Sequence, residues 1–592
     1  MIPLRAGPVA LAFSDGDLRD IRVGTHEVVR RVYMVFQDLN WTARPWRVDD
    51  VDAHIGTDAF DITFTGRGTF DAERFAWTGH LTGQADGRIT YSVRGLAEAP
   101  FMRNRLGLCV LHPMSAAGAP CMVEHVDGTT GETRFPDSIS PHQPFLGVRA
   151  ITHEFAPGGW ATVTMLGETF ETEDHRNWSD ASFKTYSTPI ALPFPVLVPE
   201  SATLEQSVVI DVGRPDVVPE PSRMEAPVSI SIDLGAPAVA LPRLGLQVAA
   251  DGATLGGREA SLLRALQLDH LRVDVDLADP AARGRLASAA QQARAIDSRL
   301  VVALHVPDIA LLPDVAVLAA AHHDVIDCWL LFEPASKVTG PGLIAAARTV
   351  LGPEARIGGG TDLYFAELNR TPADPTGIDV VAFSLNPQVH ASDDVTVMQN
   401  LAAQSVVATQ AAELAGGAEV YVSPVTLRPR FNPNATRPDL DVSSTALPST
   451  VDARQATPFT AAWTIGSVAR LATTERVSAI TYFETTGWRG LVERDEGTPQ
   501  PADFPSTPGV PFPVYGVFAL LAGFTHMGHV RSSEPEQVAA VIVEDGSRRR
   551  LLVANLVDRE SAITVIGPDR RNEEIRLAPY AHASFDYPKD AS

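Results

Sequence analysis

Cysteine is scarce in this chain, with three in 592 residues: Cys109, Cys121 and Cys328. None stands in a C-x-x-C pair. So sparse and odd a set argues against a disulfide framework and for a reducing compartment. All three are expected to be small buried hydrophobes. Long apolar runs are also missing, since no stretch approaches the ~18–20 residues of a spanning helix. The opening MIPLRAGPVALAFSDGD is interrupted by Asp15 and Asp17 and lacks the shape of a secretory signal. A cytoplasmic location with no membrane partner is therefore expected. Basic charge is in deficit, 48 Lys and Arg against 72 Asp and Glu, for a net charge of −24. Such a surface repels phosphate backbones, so no nucleic-acid partner is expected. There is no G-x-S-x-G elbow, no P-loop and no H-E-x-x-H. His322 and His323 are adjacent near a helix end and face differently, which makes a poor metal pair. No metal or other cofactor is expected, although His and Asp at several strand ends leave room for a metal.

What is present is the composition of a globular enzyme, 45% apolar and 20% charged. The length suits about three domains. Residues 1–225 carry short alternating runs such as ITFTGRGTF, FAWTGHLTG and RITYSVRGL, punctuated by Gly, Asp and Asn, and predict a large β-sandwich. A proline-rich connector, VVPEPSRMEAP at 217–227, marks the boundary. Over 236–527 near-continuous apolar strands alternate with Ala/Leu-rich helices. The strands are LGLQV, HLRVDV, LVVALHV, CWLLFEP, ARIGGGTD, VVAFSLNP, EVYVSPVTLRP and SAITYFETTGW. Such strands belong to a parallel sheet covered by helices. Eight units in this length predict a closed (β/α)8 barrel. An open doubly wound sheet is weaker, because no G-x-G-x-x-G turn follows the first strand. Residues 528–592 return to strands and predict a small C-terminal β domain, which VSISIDL at 228–234 could join.

In a (β/α)8 barrel the chemistry sits at the C-terminal strand ends. The polar residues there are Arg272 and Asp274 on the second strand, His305 on the third and Glu333 after the fourth. Asp362 ends the fifth, Asn386 the sixth with His390 beyond, and Arg428 and Arg430 follow the seventh. Glu484 ends the eighth, with Trp488 and Arg489 close behind. Glu333 follows CWLLF and Glu484 follows AITYF. A carboxylate just past a fully buried run is partly desolvated, which raises its pKa and suits it to general acid or base work. Arg272 and Asp274 alternate on one strand, point the same way, and are expected to pair. His305, His390, Asp362, Asn386, Arg428 and Trp488 are candidates for binding substrate. In the N-terminal domain, EDHRNWSDASFKTY at 173–186 is dense in polar and aromatic residues and reads as a hydrogen-bonded seam between domains.

The segments NRLGLCVLHP, EDHRNWSDASFKTY, FEPASK, GGGTDLYFAELNR and YFETTGWRG resemble those of bacterial D-apionate lactonases. The resemblance covers the N-terminal sandwich and the barrel. It implies opening of D-apionolactone to D-apionate in the catabolism of apiose. Lactone hydrolysis needs a base for water, donors for the oxyanion and an acid for the leaving alkoxide. Glu333 and Glu484 are the candidates for base and acid, in either order. Arg272, His305 or Arg428 would steady the oxyanion, and the other strand-end groups would bind hydroxyls. The chain is also similar to retaining glycoside hydrolases, whose acid/base Glu follows the fourth strand and precedes Pro, as Glu333 precedes Pro334. The alternative function is thus a glycosidase acting on an apiose-containing or related glycoside. Two departures weigh against it: Phe332 replaces the usual Asn before that Glu, and Glu484 follows the eighth strand where the family's nucleophile follows the seventh. A non-catalytic binding protein would have its carboxylates locked in salt bridges.

Overall fold

The computed structural model describes residues 1–70, 73–213, 227–233, 235–432, 447–474, 476–567 and 572–588. Most of the connector at 217–227 thus lies outside the described residues, as does Leu234. The chain divides into two compact units. The first holds residues 1–176 and 181–225. The second holds Asn177–Asp180 and the chain from Ala226 onward, apart from the short stretch Asn432–Leu440, which groups with the first.

The first unit is built on a sixteen-stranded antiparallel sheet. The strands Phe60–Phe70, Glu73–Gly83 and Ile89–Ala97 form consecutive hairpins, and Ile89–Ala97 buries every second residue. That period of two gives the sheet one apolar face. The sheet folds back over a single core in which Phe13 meets Phe64 and Phe36 meets Phe101 at ring separations of 5.4 and 5.6 Å. Side chains of this size contribute roughly 1.5–3 kcal/mol each when fully buried.

In the second unit eight parallel strands close on themselves: β1 (Arg243–Gln247), β2 (His270–Asp276), β3 (Arg299–His305), β4 (Ile326–Phe332), β5 (Ile357–Tyr364), β6 (Val380–Leu385), β7 (Glu419–Val425) and β8 (Val477–Glu484). Pairing of β1 with β8 completes the ring and rules out the open sheet. Alternate residues of β4 (Cys328, Leu330 and Phe332) join the interior cluster with Val301, Ala303, Val380, Ala382, Tyr421 and Ala479. Trp329 and Leu331 between them are also buried, so both faces of the strand are covered, as its unbroken apolar run predicts.

The helices are α1 (Gly257–Ala265), α2 (Ala282–Ala295), α3 (Leu312–His322), α4 (Pro341–Leu351), α5 (Phe365–Arg370), α6 (Asp394–Gln399), α7 (Leu401–Leu414), α8 (Pro458–Leu471) and α9 (Pro513–Leu521). Proline in the first turn of α3, α4, α8 and α9 sits where its missing N–H costs nothing. The apolar, Ala-rich stretch 394–415 holds two helices, α6 and α7, meeting at Asn400. The buried Asn400 amide donates to Asp180 Oδ1 at 2.9 Å and to the Pro387 carbonyl at 3.0 Å, which ties the junction down. Among the described residues no helix is long and apolar enough to cross a membrane.

Two further sheets complete this unit. Val228–Asp233 runs parallel to Ser561–Ile566 and antiparallel to His529–Ser532, so residues ahead of the barrel pair with strands beyond it. The other sheet contains Val538–Glu544, Arg548–Asn555 and His582–Pro588.

Candidate active site at the barrel mouth

Three features aim the strand-end side chains. The first is the glycine run of β5. Gly360 has φ +111°, and a Cβ there would lie 2.3 Å from the Ala382 carbonyl oxygen. Only glycine tolerates both, so β5 can lie against β6 and deliver Asp362 to the mouth. The second is a bulge in β8. Phe483 has φ 37°, and the register with β1 shifts so that Gln247 pairs with Glu484. A left-handed, non-glycine residue at a bulge re-aims the side chain that follows it, here Glu484. The third is a chain of polar side chains through the barrel interior. His270 Nε2 meets Thr481 Oγ1 at 2.8 Å, Ser423 Oγ donates to Thr481 Oγ1 at 2.8 Å, and Arg272 donates to the Ser423 carbonyl at 2.5 Å.

Arg272 is fully buried and holds two carboxylates. Its Nη2 donates to Asp274 Oδ1 at 2.7 Å and to Asp362 Oδ1 at 2.5 Å. Arg430, from the loop after β7, reaches the same pair: its Nη1 donates to Asp274 Oδ2 at 3.0 Å and its Nη2 to Asp362. Gln247 Nε2 adds a bond to Asp274 Oδ2 at 2.8 Å. Burial pushes Asp274 up, but Arg272 and Arg430 outweigh it and hold the carboxyl well below its usual range. Two guanidiniums and two carboxylates leave this cluster without net charge. The ligand-type atoms of Asp274, His305 and Asp362 lie within 4.8 Å of one another. Both oxygens of Asp274 and Oδ1 of Asp362, however, are already engaged by Arg272 and Arg430, so the cluster has the donor balance of a salt-bridge network and is a poor match for a divalent cation.

Beside it lies a narrow recess lined by Gln247, Arg428, Arg430, Asp452, Gln455, Glu484, Trp488 and Arg489 among others. Glu484 is 8% exposed, and Arg489 Nη2 stands 2.9 Å from its Oε1. Burial drives its carboxyl up, Arg489 offsets this in part, and the result is a pKa pushed up to about 7. Across the recess Arg428 Nε is 3.3 Å from Asp452 Oδ2. Arg454 and Gln388 also bond Asp452. Burial alone would raise the Asp452 carboxyl, but Arg454 holds it at about 2. Trp488 forms one wall, its ring 6.5 Å from that of Phe504.

The recess thus gathers Glu484, Arg428 and Trp488, and the salt-bridge cluster gathers Arg272, Asp274, Asp362 and His305. Gln247 and Arg430 belong to both. The other sequence candidates lie elsewhere. Glu333 is half-buried and outside the recess lining, and its Oε2 accepts the Gly340 amide at 2.8 Å, at the start of α4. Asn386 Oδ1 accepts the Gln388 amide at 3.1 Å. His390 Nδ1 meets Asp180 Oδ2 at 2.6 Å, with its ring edge-on to Trp178. Asn177 Oδ1 accepts from Asn369 at 2.9 Å. The polar N-terminal motif therefore divides: Asn177–Asp180 belong to the barrel's unit, and Arg176 with Asp174 to the first unit.

Sequence reasoning missed Gln247, Asp452 and Gln455. Gln247 carried the same signal as the others, a polar residue closing an apolar strand. Asp452 and Gln455 stand in the long β7–α8 connection, where no periodicity marks them.

A (β/α)8 barrel with a buried carboxyl near neutrality at its C-terminal mouth has the build of a barrel hydrolase. Comparison with known proteins gives the family. Residues 1–215 match the D-apionate lactonase N-terminal domain, and residues 244–526 match the D-apionate lactonase TIM barrel domain. The D-apionate lactonase of Brucella anthropi is 32% identical over 456 residues, covering 73% of this chain and 74% of that protein. The chain belongs to the D-apionate lactonase family. Among solved structures, an α-L-arabinofuranosidase of family 51 from Bifidobacterium longum aligns with TM-score 0.43 and 12% identity, over 61% of this chain and 99% of that one. A family 30 endoxylanase from Clostridium papyrosolvens aligns with TM-score 0.41 and 10% identity, over 61% and 100%. Both are too distant to bear on function.

Proposed function

We propose that this protein hydrolyses a sugar-derived lactone, D-apionolactone to D-apionate, with Glu484 as the proton donor to the leaving alkoxide. One observation carries the reading: a carboxyl buried at the barrel mouth, lining a narrow polar recess, with its pKa pushed up to about 7. Such a group holds its proton at neutral pH and can still release it, which a leaving alkoxide requires. Arg428 and Arg489 line the same recess and offer N–H donors to the tetrahedral oxyanion. Trp488 supplies an apolar wall for a compact sugar ring. A second group must take the proton from water. Glu333 is one candidate, with its Oε2 held by the Gly340 amide and its Oε1 left to accept.

The test is hydrolysis by purified protein of a panel of sugar lactones and aryl glycosides, with and without chelator. D-apionolactone is expected to be opened at the highest kcat/KM, with chelator having no effect. Turnover of glycosides but not of lactones would reject the reading.

A further inference from the structure

Asp362 presents an unusual half-satisfied carboxylate. It is 7% exposed, and its Oδ1 is fixed by Arg272 and Arg430. Its Oδ2 is buried without a hydrogen-bond partner. A buried carboxylate oxygen left unpaired costs about 1–3 kcal/mol or more, so its partner needs an explanation. The nearest candidate is His305, whose Nε2 lies 3.4 Å from that oxygen. The imidazole ends β3, is 23% exposed, and tilts against the Phe332 ring at 5.7 Å. Among the described residues its Nδ1 has no hydrogen-bond partner. A carboxylate anchored at one oxygen and aimed at an imidazole with the other sets both tautomer and ring orientation.

We propose that His305, oriented by Asp362, is the catalytic base that activates water, which rests on the lactonase reading above. With Nε2–H directed to Asp362, the lone pair is on Nδ1. Nδ1 takes a proton from water as the water oxygen bonds to the lactone carbonyl carbon, and the carbonyl π pair moves onto its oxygen. The tetrahedral intermediate then collapses: the carbonyl re-forms, the ring C–O bond breaks, and the departing oxygen takes the proton of Glu484. The imidazolium returns a proton to Glu484, directly or through solvent, and the hydroxy acid leaves, one water having been consumed. The charged groups nearest His305 are Asp274 from β2 and Asp362 from β5, each held in turn by Arg272 and Arg430, with the Phe332 ring from β4 beside it. Asp276 is its ladder neighbour on β2. Arg430 also lines the Glu484 recess and so joins the two halves of the site. Glu333 lies outside the recess lining, and its Oε2 accepts the Gly340 amide.

The experiment is steady-state kinetics on D-apionolactone across pH for wild type, His305→Ala, His305→Gln, Asp362→Asn and Glu333→Gln. Losing the base is expected to lower kcat by about 100-fold or more in both His305 variants. It should also abolish the acidic limb of the kcat profile, where protonated imidazole cannot accept a proton. Added imidazole is expected to restore turnover to His305→Ala, and Asp362→Asn to lower kcat with KM little changed. Glu333→Gln is expected to keep the acidic limb, since its contact with the Gly340 amide and not the proton transfer from water is altered. The proposal is overturned if His305→Ala keeps kcat within about threefold, or if its loss comes with an unchanged pH profile and no rescue by imidazole. It is equally overturned if Glu333→Gln, and not His305→Gln, removes the acidic limb. A wild-type protein that opens no lactone overturns the substrate reading as well, whereas an active wild type with unaffected His305 variants overturns this inference alone.

Discussion

Replacing Glu484 by Gln should make the barrel more stable at pH 8 than the wild type, and the margin can be worked from the site. The carboxyl moves from an ordinary 4.5 to about 7 on folding, because its burial outweighs the Arg489 guanidinium beside it. At 1.36 kcal/mol for each tenfold change in acidity, holding it ionised in the fold costs on the order of 3 kcal/mol. The folded carboxyl keeps its proton more tightly than the unfolded one. Folding therefore takes up a proton between pH 4.5 and about 7, and wild-type stability falls as pH rises through that window. Below the window both forms are neutral and the two proteins differ only by the amide. Above it the wild type bears the full cost and the variant none. Denaturant unfolding followed by tryptophan fluorescence at a series of pH values measures this, with Trp178, Trp329, Trp463 and Trp488 as probes in the barrel's unit. The variant's advantage should grow by about 3 kcal/mol from the acid to the alkaline end of the window. A difference that stays flat with pH would refute the claim that Glu484 is desolvated.

Three other perturbations test neighbouring parts of the argument. Arg489→Gln removes the guanidinium 2.9 Å from Glu484, so the alkaline limb of the rate profile should move to higher pH; an unmoved limb contradicts the pairing. Arg272→Met leaves Asp274 and Asp362 short of a buried counter-charge and should destabilise the barrel by about 3–5 kcal/mol in denaturant unfolding. Gly360→Ala drives a Cβ to 2.3 Å from the Ala382 oxygen. It also forces a left-handed alanine, at a cost of about 1–3 kcal/mol before the clash is counted. It should lower both thermal stability and turnover, because Asp362 follows two residues later.

The barrel was legible because its strands advertise burial on both faces. CWLLF and VVAFSL have no polar side to turn outward until the strand's last residues, and a cylinder capped by helices accepts such strands. The same rule led to Glu484 and to Glu333, and it could not separate them. Both follow an apolar strand, but the carboxylate of Glu333 turns to the amide at the start of α4, whereas the Phe483 bulge turns Glu484 into the recess. Which way a terminal carboxylate swings depends on a left-handed residue and on a loop amide, neither of which periodicity records. The Arg272–Asp274 pairing followed from their spacing along β2. Its extension to Asp362 and Arg430 depends on β5 and the β7–α8 loop meeting at the mouth, and no local pattern carries that. Asn400 shows the opposite limit: helical spacing runs unbroken through 394–415, and a buried amide with partners distant in sequence divides it.

The sharpest single test is the pH dependence of kcat for lactone opening by wild type and Glu484→Gln. The account predicts a wild-type profile that declines through about pH 7 as Glu484 gives up its proton. In the variant that alkaline limb should be absent and turnover lower by about 100-fold or more. A variant that keeps the wild-type limb and the wild-type rate would contradict it.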